Sequence, residues 1–300
     1  MITVVGSINL DLIATVDRLP KPGETVPGDA FTTSPGGKGA NQALAARRSG
    51  ADVRMVGGVG RDSFATEALA CLRDGGVDLS GVRESHAATG VALIFVEESG
   101  ENVITIVPGG NGALFPGDVA SADIRKGEYV MLQLEVPLET VGAALAATRS
   151  VGATSLLNTA PFRAEAAPLL GEADYVIANE TEFDLYSNAL SLTGDSREQR
   201  MLDFAGRTGR IMVVTLGAEG VVAATASELV RAQGLTITPV DTVGAGDTFC
   251  GYFAASLELG LPLQDALRRA AVAGSLACLK PGAQPSIPRG EDVEEALKGG

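Results

Sequence analysis

At 300 residues the chain reaches the size where a single core stops growing, so it holds one large domain or one domain with an appendage. Hydrophobic residues make up 45% and charged residues 20%, which excludes a disordered or collagen-like chain. The net charge of −14 argues against nucleic-acid and membrane partners, and the single histidine, His86, excludes histidine metal clusters and Ser–His–Asp catalysis.

The first residues, MITVVGSINLDLI, have no cationic start and are interrupted by Asp11, so neither a secretory signal nor a membrane span is expected. With three cysteines and no CxxC pair, the pattern suits a reduced, cytoplasmic protein. Strands are predicted over residues 3–5 and 53–56, and a helix over 64–72 that stops at Gly75 and Gly76. Further strands are predicted at 129–132, 154–157, 175–178 and 211–215, with helices at 138–147 and 197–206 between them. This βαβ rhythm predicts an α/β fold with a mainly parallel central sheet flanked by helices.

Segments 12–34 and 89–107 break the rhythm. The first carries Pro20, Pro22, Gly23 and Pro27 among β-formers; the second holds VALIFV and NVITIV around a turn at Gly100, a hairpin pattern. Together they predict a small β-sheet lid on a single domain spanning 1–300. A helix pair is expected at about 245–259 and 263–279, then a looped tail and a short terminal helix.

The strongest local motif is DTVGAGDTF, from Asp241 to Phe249. Its small residues Gly244, Ala245 and Gly246 lead into an apolar helix, whose first amides lack intrahelical partners and face an anion with the helix dipole. Asp247 at that mouth could take a proton from a hydroxyl attacking a phosphoryl group; the alternative is a tight turn with a capping aspartate. In PGGKGANQALAARRSG, paired glycines precede a helix and Lys38 and Asn41 offer donors, but the spacing is not that of a Walker A loop. NETE, residues 179–182, follows an apolar strand, so Asn179 and Glu182 could order a hydrated magnesium ion or simply cap the next helix. GVGRDS lacks the third glycine of a dinucleotide fingerprint, and His86 lies in a polar stretch and is expected to be exposed.

These pieces resemble the ribokinase-like (PfkB-type) carbohydrate kinases over essentially the whole chain. The first signature of that family falls on Gly36, Gly37, Gly39, Asn41, Ala43, Gly50 and Gly60, and its second on residues 241–251. GSINLD, PGETV, GGKGANQA, TGVALIFV, GENVI, NETE, TLG and GAQPSIP follow in the order found in its ribose-phosphorylating members. Three features depart: Tyr252 stands where the signature usually has a small residue, Ala271 replaces a polar residue many relatives place near the adenine, and TVGAG stands where some members have TIAAG, a change only between small or aliphatic residues.

The resemblance implies ATP-dependent phosphorylation of the 5-hydroxyl of D-ribose, with a deoxyribose, fructose or nucleoside kinase of the same family as the alternative. A non-catalytic sugar sensor is a further reading, disfavoured by the intact Asp247, Gly246 and NETE. Asn9 and Asp11, at the end of the first strand, would hold sugar hydroxyls with Gly37, Lys38, Asn41 and Glu135. Asp247 would be the base beside the Gly244, Ala245 and Gly246 amides. Asn179, Thr215, Gly217, Gly220 and Gly246 would line the ATP side, with magnesium near Glu182 through water. Asp241, Val243, Ala277, Lys280, Gly282 and Ser286 would surround an activating potassium ion, and the exposed lid strands would pair two copies into a homodimer.

Overall fold

The structure is a computed structural model, and it describes residues 1–97 and 102–299. The expected turn at Gly100 and the first two residues of GENVI lie outside the described residues. The strands are β1 (Ile2–Val5), β2 (Asn9–Val16), β3 (Gly28–Gly36), β4 (Val53–Val59), β5 (Asp78–Glu84), β6 (Gly90–Glu97), β7 (Asn102–Val107), β8 (Tyr129–Leu132), β9 (Thr154–Asn158), β10 (Tyr175–Asn179), β11 (Ile211–Thr215), β12 (Val221–Ala224) and β13 (Leu229–Ala232). The helices are α1 (Lys38–Arg48), α2 (Ser63–Ala68), α3 (Ala70–Asp74), α4 (Pro116–Ala120), α5 (Leu138–Val151), α6 (Ala167–Leu170), α7 (Glu180–Ala189), α8 (Arg197–Thr208), α9 (Ala245–Glu258), α10 (Leu263–Ala277) and α11 (Gly290–Gly299).

Nine strands form one sheet in the order β13-β12-β11-β10-β9-β8-β1-β4-β5. Every pairing from β11 to β5 is parallel; β12 and β13 add antiparallel strands at one edge. The alternation of strand side chains divides the core into two layers. Val4, Met131, Ile177 and Val213 face one way, into a cluster with α1, α9, α10 and α11. Val5, Leu132, Val176, Ala178, Met212 and Val214 face the other way, against α5, α7 and α8. A sheet buried on both faces needs apolar residues at successive positions, which is why its inner strands are continuous Val/Ile/Leu runs.

The smaller sheet has the order β3-β2-β6-β7, with β2 and β6 parallel and the outer pairs antiparallel. It springs directly from the larger one, since only Gly6, Ser7 and Ile8 separate β1 from β2. Several expectations need correction. Asn9 and Asp11 belong to β2 of the small sheet, not to the end of the first strand. The helix expected over 64–72 is two short helices meeting at Leu69, which ends one and begins the next. β5, β12 and β13 were not foreseen: DLSGVRE lacks a regular apolar alternation, and VVAA and LVRA are four-residue strands with little β-branched content beyond valine.

Candidate active site

The parallel strands deliver polar residues at their carboxyl ends, where open α/β sheets hold ligands. Ser7 follows β1, Gln133 and Glu135 follow β8, and β9, β10 and β11 end on Asn158, Asn179 and Thr215. The chain leaves β1 toward β4 and β5, then returns on the other side to build β8 outward, so these ends gather at the reversal of strand order.

α1 is anchored here by its first turn. Its cap residue Gly37 has φ 91°, and a Cβ there would lie 2.8 Å from the Asn9 amide, so glycine is required on both counts. The Lys38 amide donates to Glu135 Oε2 at 3.1 Å, the Gly39 amide to Ser7 Oγ at 3.3 Å, and Ser7 Oγ donates to the same Glu135 oxygen. Beneath Asn9, buried Asn111 donates to Asn9 Oδ1 at 2.7 Å and accepts from the Ile8 amide.

α9 begins at Gly244, which has φ 76° and would bring a Cβ to 2.9 Å from Ala283 Cα. The Ala245 amide closes a long 3.3 Å bond to the Thr242 carbonyl, so it is already partly engaged, while Gly246 and Asp247 follow in the first helical turn. Asp247 is not a cap. It is buried, and both its oxygens accept amide hydrogens: Oδ2 from Asn41 Nδ2 at 2.9 Å, Oδ1 from Gln42 Nε2 at 3.0 Å. Asn41 Oδ1 is buried and accepts nothing from the described residues. Gln42, Gln133 and Asn158 were not singled out from the sequence. The signal was available for Gln42, since Lys38, Asn41 and Gln42 lie at i, i+3 and i+4 on one face of α1.

A cavity of about 220 Å³ opens in front of Asp247, lined also by Lys38, Asn158, Asn179, Glu182, Thr215, Thr242, Gly244, Gly246 and Cys250. The Asp247 carboxylate holds the Lys38 ammonium above its usual range against the opposing effect of burial, with Glu135 and Glu182 adding to it. Burial, reinforced by Glu135 and Asp247, pushes the Asp11 carboxyl up to about 7, with Lys38 opposing. Burial also keeps Cys250 a neutral thiol. A second, more apolar cavity of about 330 Å³ shares Thr215, Thr242 and Gly246 with the first and adds Gly217, Gly220, Phe249, Ala271 and Ser275. The expected nucleotide-side positions therefore line two adjoining cavities. Of the expected sugar-side residues only Lys38 lines the first, while Asn9, Asp11, Gly37, Asn41 and Glu135 do not.

The capping alternative for NETE is realised: Asn179 Oδ1 accepts from the Glu182 amide at 2.8 Å, and Glu182 Oε2 accepts from the Asn179 amide at 3.1 Å. Glu182 Oε2 also accepts from Thr159, which leaves Oε1 without a hydrogen bond to the described residues. No group of three acidic, histidine or cysteine residues suited to a metal exists among the described residues. One free carboxylate oxygen beside the cavity fits a magnesium ion that keeps its waters.

Of the expected cation positions, Val243 and Gly282 meet Asp241, whose oxygens accept from the Val243 amide at 2.9 Å and the Gly282 amide at 2.8 Å. Ser286 is buried and donates to Ala283; Val243 is 52% exposed; the Lys280 amide reaches Ala277 at 3.4 Å. Tyr252 is buried and donates to the Pro288 carbonyl at 2.9 Å, so its ring is accommodated behind α9. His86 is exposed, as expected.

A glycine-capped helix start, a buried carboxylate in its first turn and a lysine lining the same cavity are parts that phosphoryl transfer uses, here at the carboxyl ends of a parallel sheet. The chain belongs to the pfkB family of carbohydrate kinases, whose model matches residues 1–289. It is 38% identical over 299 residues to a ribokinase of Bacillus subtilis, covering 99% of each chain. Among solved structures it resembles a ribokinase of Thermotoga maritima, with a TM-score of 0.91, 30% identity and 99% of each chain covered. It also resembles an Arabidopsis thaliana ribokinase in complex with ribose and ATP, with a TM-score of 0.87, 31% identity and coverage of 99% of this chain and 98% of that one.

Proposed function

We propose that the chain phosphorylates D-ribose at its 5-hydroxyl with ATP, and that Asp247 is the base. The observation that carries this is the Asp247 carboxylate, clamped by Asn41 and Gln42 at the mouth of the α9 anion site. The hydroxyl oxygen attacks the γ-phosphorus, its proton passes to Asp247, and the bond to the bridging β–γ oxygen breaks to release ADP. Gly244, Ala245 and Gly246 turn the backbone toward the developing charge, and Lys38 supplies a cation opposite. Asn9, Asp11, Gly37, Asn41 and Glu135 hold sugar hydroxyls, the free Asn41 Oδ1 being one acceptor in need of a donor. Asn179, Thr215, Gly217 and Gly220 receive the nucleotide, its base in the apolar cavity beside Ala271. Glu182 would hold magnesium through water, and the ion would supply neutralisation of phosphate charge. The Asp241 loop would hold potassium, which would keep the α9 start in shape.

The reading extends to the whole molecule: one domain, with the small sheet as a lid over the sugar side, paired with a second copy through its exposed apolar face. Cytoplasmic residence is supported by three free cysteines. No helix among the described residues is long and apolar enough to cross a membrane. The test is ATP turnover against ribose, 2-deoxyribose, fructose and nucleosides, with magnesium, in potassium and in a large organic cation. Ribose should be turned over fastest and only well in potassium. Faster turnover of another substrate would overturn the sugar assignment, and equal rates in both cations would remove the potassium site.

A further inference from the structure

Gln42 is fully buried, and each polar atom of its amide has a partner. Nε2 donates to Asp247 Oδ1 at 3.0 Å and to Asn158 Oδ1 at 3.1 Å, and Oε1 accepts from Gln133 Nε2 at 2.6 Å. Asn158 is itself fixed, donating from Nδ2 to the Ile177 carbonyl at 3.2 Å. The direction of the chain follows from chemistry: an ionised carboxylate only accepts, so the amide beside it must present its nitrogen, and its oxygen must then meet the Gln133 donor. With Asn41 donating to the other oxygen, Asp247 meets N–H groups on both sides. A proton on either of those oxygens would confront a donor.

We propose that Gln42, locked by Gln133 and Asn158, is a positioning residue that holds Asp247 as an oriented proton acceptor with its free lone pairs toward the cavity. This rests on Asp247 being the base. The ionisable groups coupled electrostatically to Asp247 or to its neighbour Lys38 are Lys38 itself from α1, Asp11 from β2, Glu182 from α7, Glu135 after β8 and Cys250 on α9. Of these, only Lys38 is a cation; none replaces an amide donor at Oδ1.

The test compares kcat, KM and the pH dependence of kcat for the native protein with Gln42→Met, Gln133→Glu and Asp247→Asn, using ribose and ATP. Gln42→Met should lower kcat by roughly 10–100-fold while both KM values stay within about twofold, the signature of a misoriented group rather than lost binding. Gln133→Glu never touches Asp247, yet it accepts only, so it turns the Gln42 nitrogen toward itself and the Gln42 oxygen toward Asp247. The acid limb of its kcat profile should move to higher pH. If Gln42→Met or Gln133→Glu fails to fold, the native protein carries the test: side-chain amide resonances of both Asn41 and Gln42 should shift through the acid limb. Native kcat and pH profile in the two glutamine variants, or a Gln42 resonance that ignores that limb, would overturn the positioning role. Retained turnover in Asp247→Asn would instead overturn the base assignment, and it is read separately.

Discussion

Asp247 and Asp11 are interacting carboxylates with opposite surroundings. Asp247 is ringed by amide donors and Lys38, whereas Asp11 is half-buried facing Glu135 and Asp247. Replacing Asp247 with Asn should lower turnover by on the order of 10²–10⁴, the range for a positioned base, and change ribose affinity much less; steady-state kinetics with calorimetric ribose binding reads both. Asp11 takes up its proton near pH 7 in the folded chain and near 3.8 when unfolded. Between those values the folded chain holds the extra proton, so raising the pH removes stability in that window and nothing further above about 7. Thermal melting of the ligand-free protein from pH 5 to 8 should show the native chain losing stability relative to Asp11→Asn, with the difference levelling off above 7. Ribose should bind more tightly as pH rises through the same point, because the ionised carboxylate is the stronger acceptor for hydroxyls.

At the level of elements, the site depends on how closely α1 and α9 approach. A Cβ at Gly251 would fall 2.5 Å from Ala45 Cβ and 2.6 Å from the Gln42 carbonyl oxygen, so the two helices touch backbone to side chain at that point. Gly251→Ala should force them apart, costing about 1–3 kcal/mol in denaturant unfolding and lowering turnover with it, since Asn41 and Gln42 ride on one helix and Asp247 on the other. Both helix starts were legible in the sequence, because glycines before an apolar run are a local signal. Their meeting was not: Asn41 and Asp247 are 206 positions apart, and no local periodicity encodes which buried amide faces which carboxylate. The inner strands were legible for the same reason as the helices, from continuous apolar runs. Asp11 was misplaced by one strand because only Gly6, Ser7 and Ile8 separate β1 from β2, too brief a connection to mark the start of a second sheet. Asn179 and Glu182 were legible as a pair, and the capping box leaves one carboxylate oxygen over, so structural and functional readings coexist there.

For the molecule as a whole, the small sheet is the part with most uncovered apolar surface. By register, Phe31, Leu93, Phe95, Val103 and Val107 share one face, opposite to that of Asp11, and Phe31 is 66% exposed. Such a patch on a sheet is ordinarily covered by a partner. Phe31→Asp combined with Val103→Asp should shift the sedimenting species from dimer to monomer while leaving the melting of the single chain nearly unchanged; a native protein that sediments as a monomer at micromolar concentration would dispose of the pairing. The separation between α1 and α9 has one more outcome, which concerns synthesis. At translation rates of about 5–20 residues per second, roughly 10–40 s pass between the emergence of Asn41 and that of Asp247. For that interval the strands that come first have no C-terminal helices to cover them, and the residues of the polar clamp remain hydrated. The nascent chain therefore spends most of its elongation with an open apolar sheet face, and catalytic competence arrives only with the last helices.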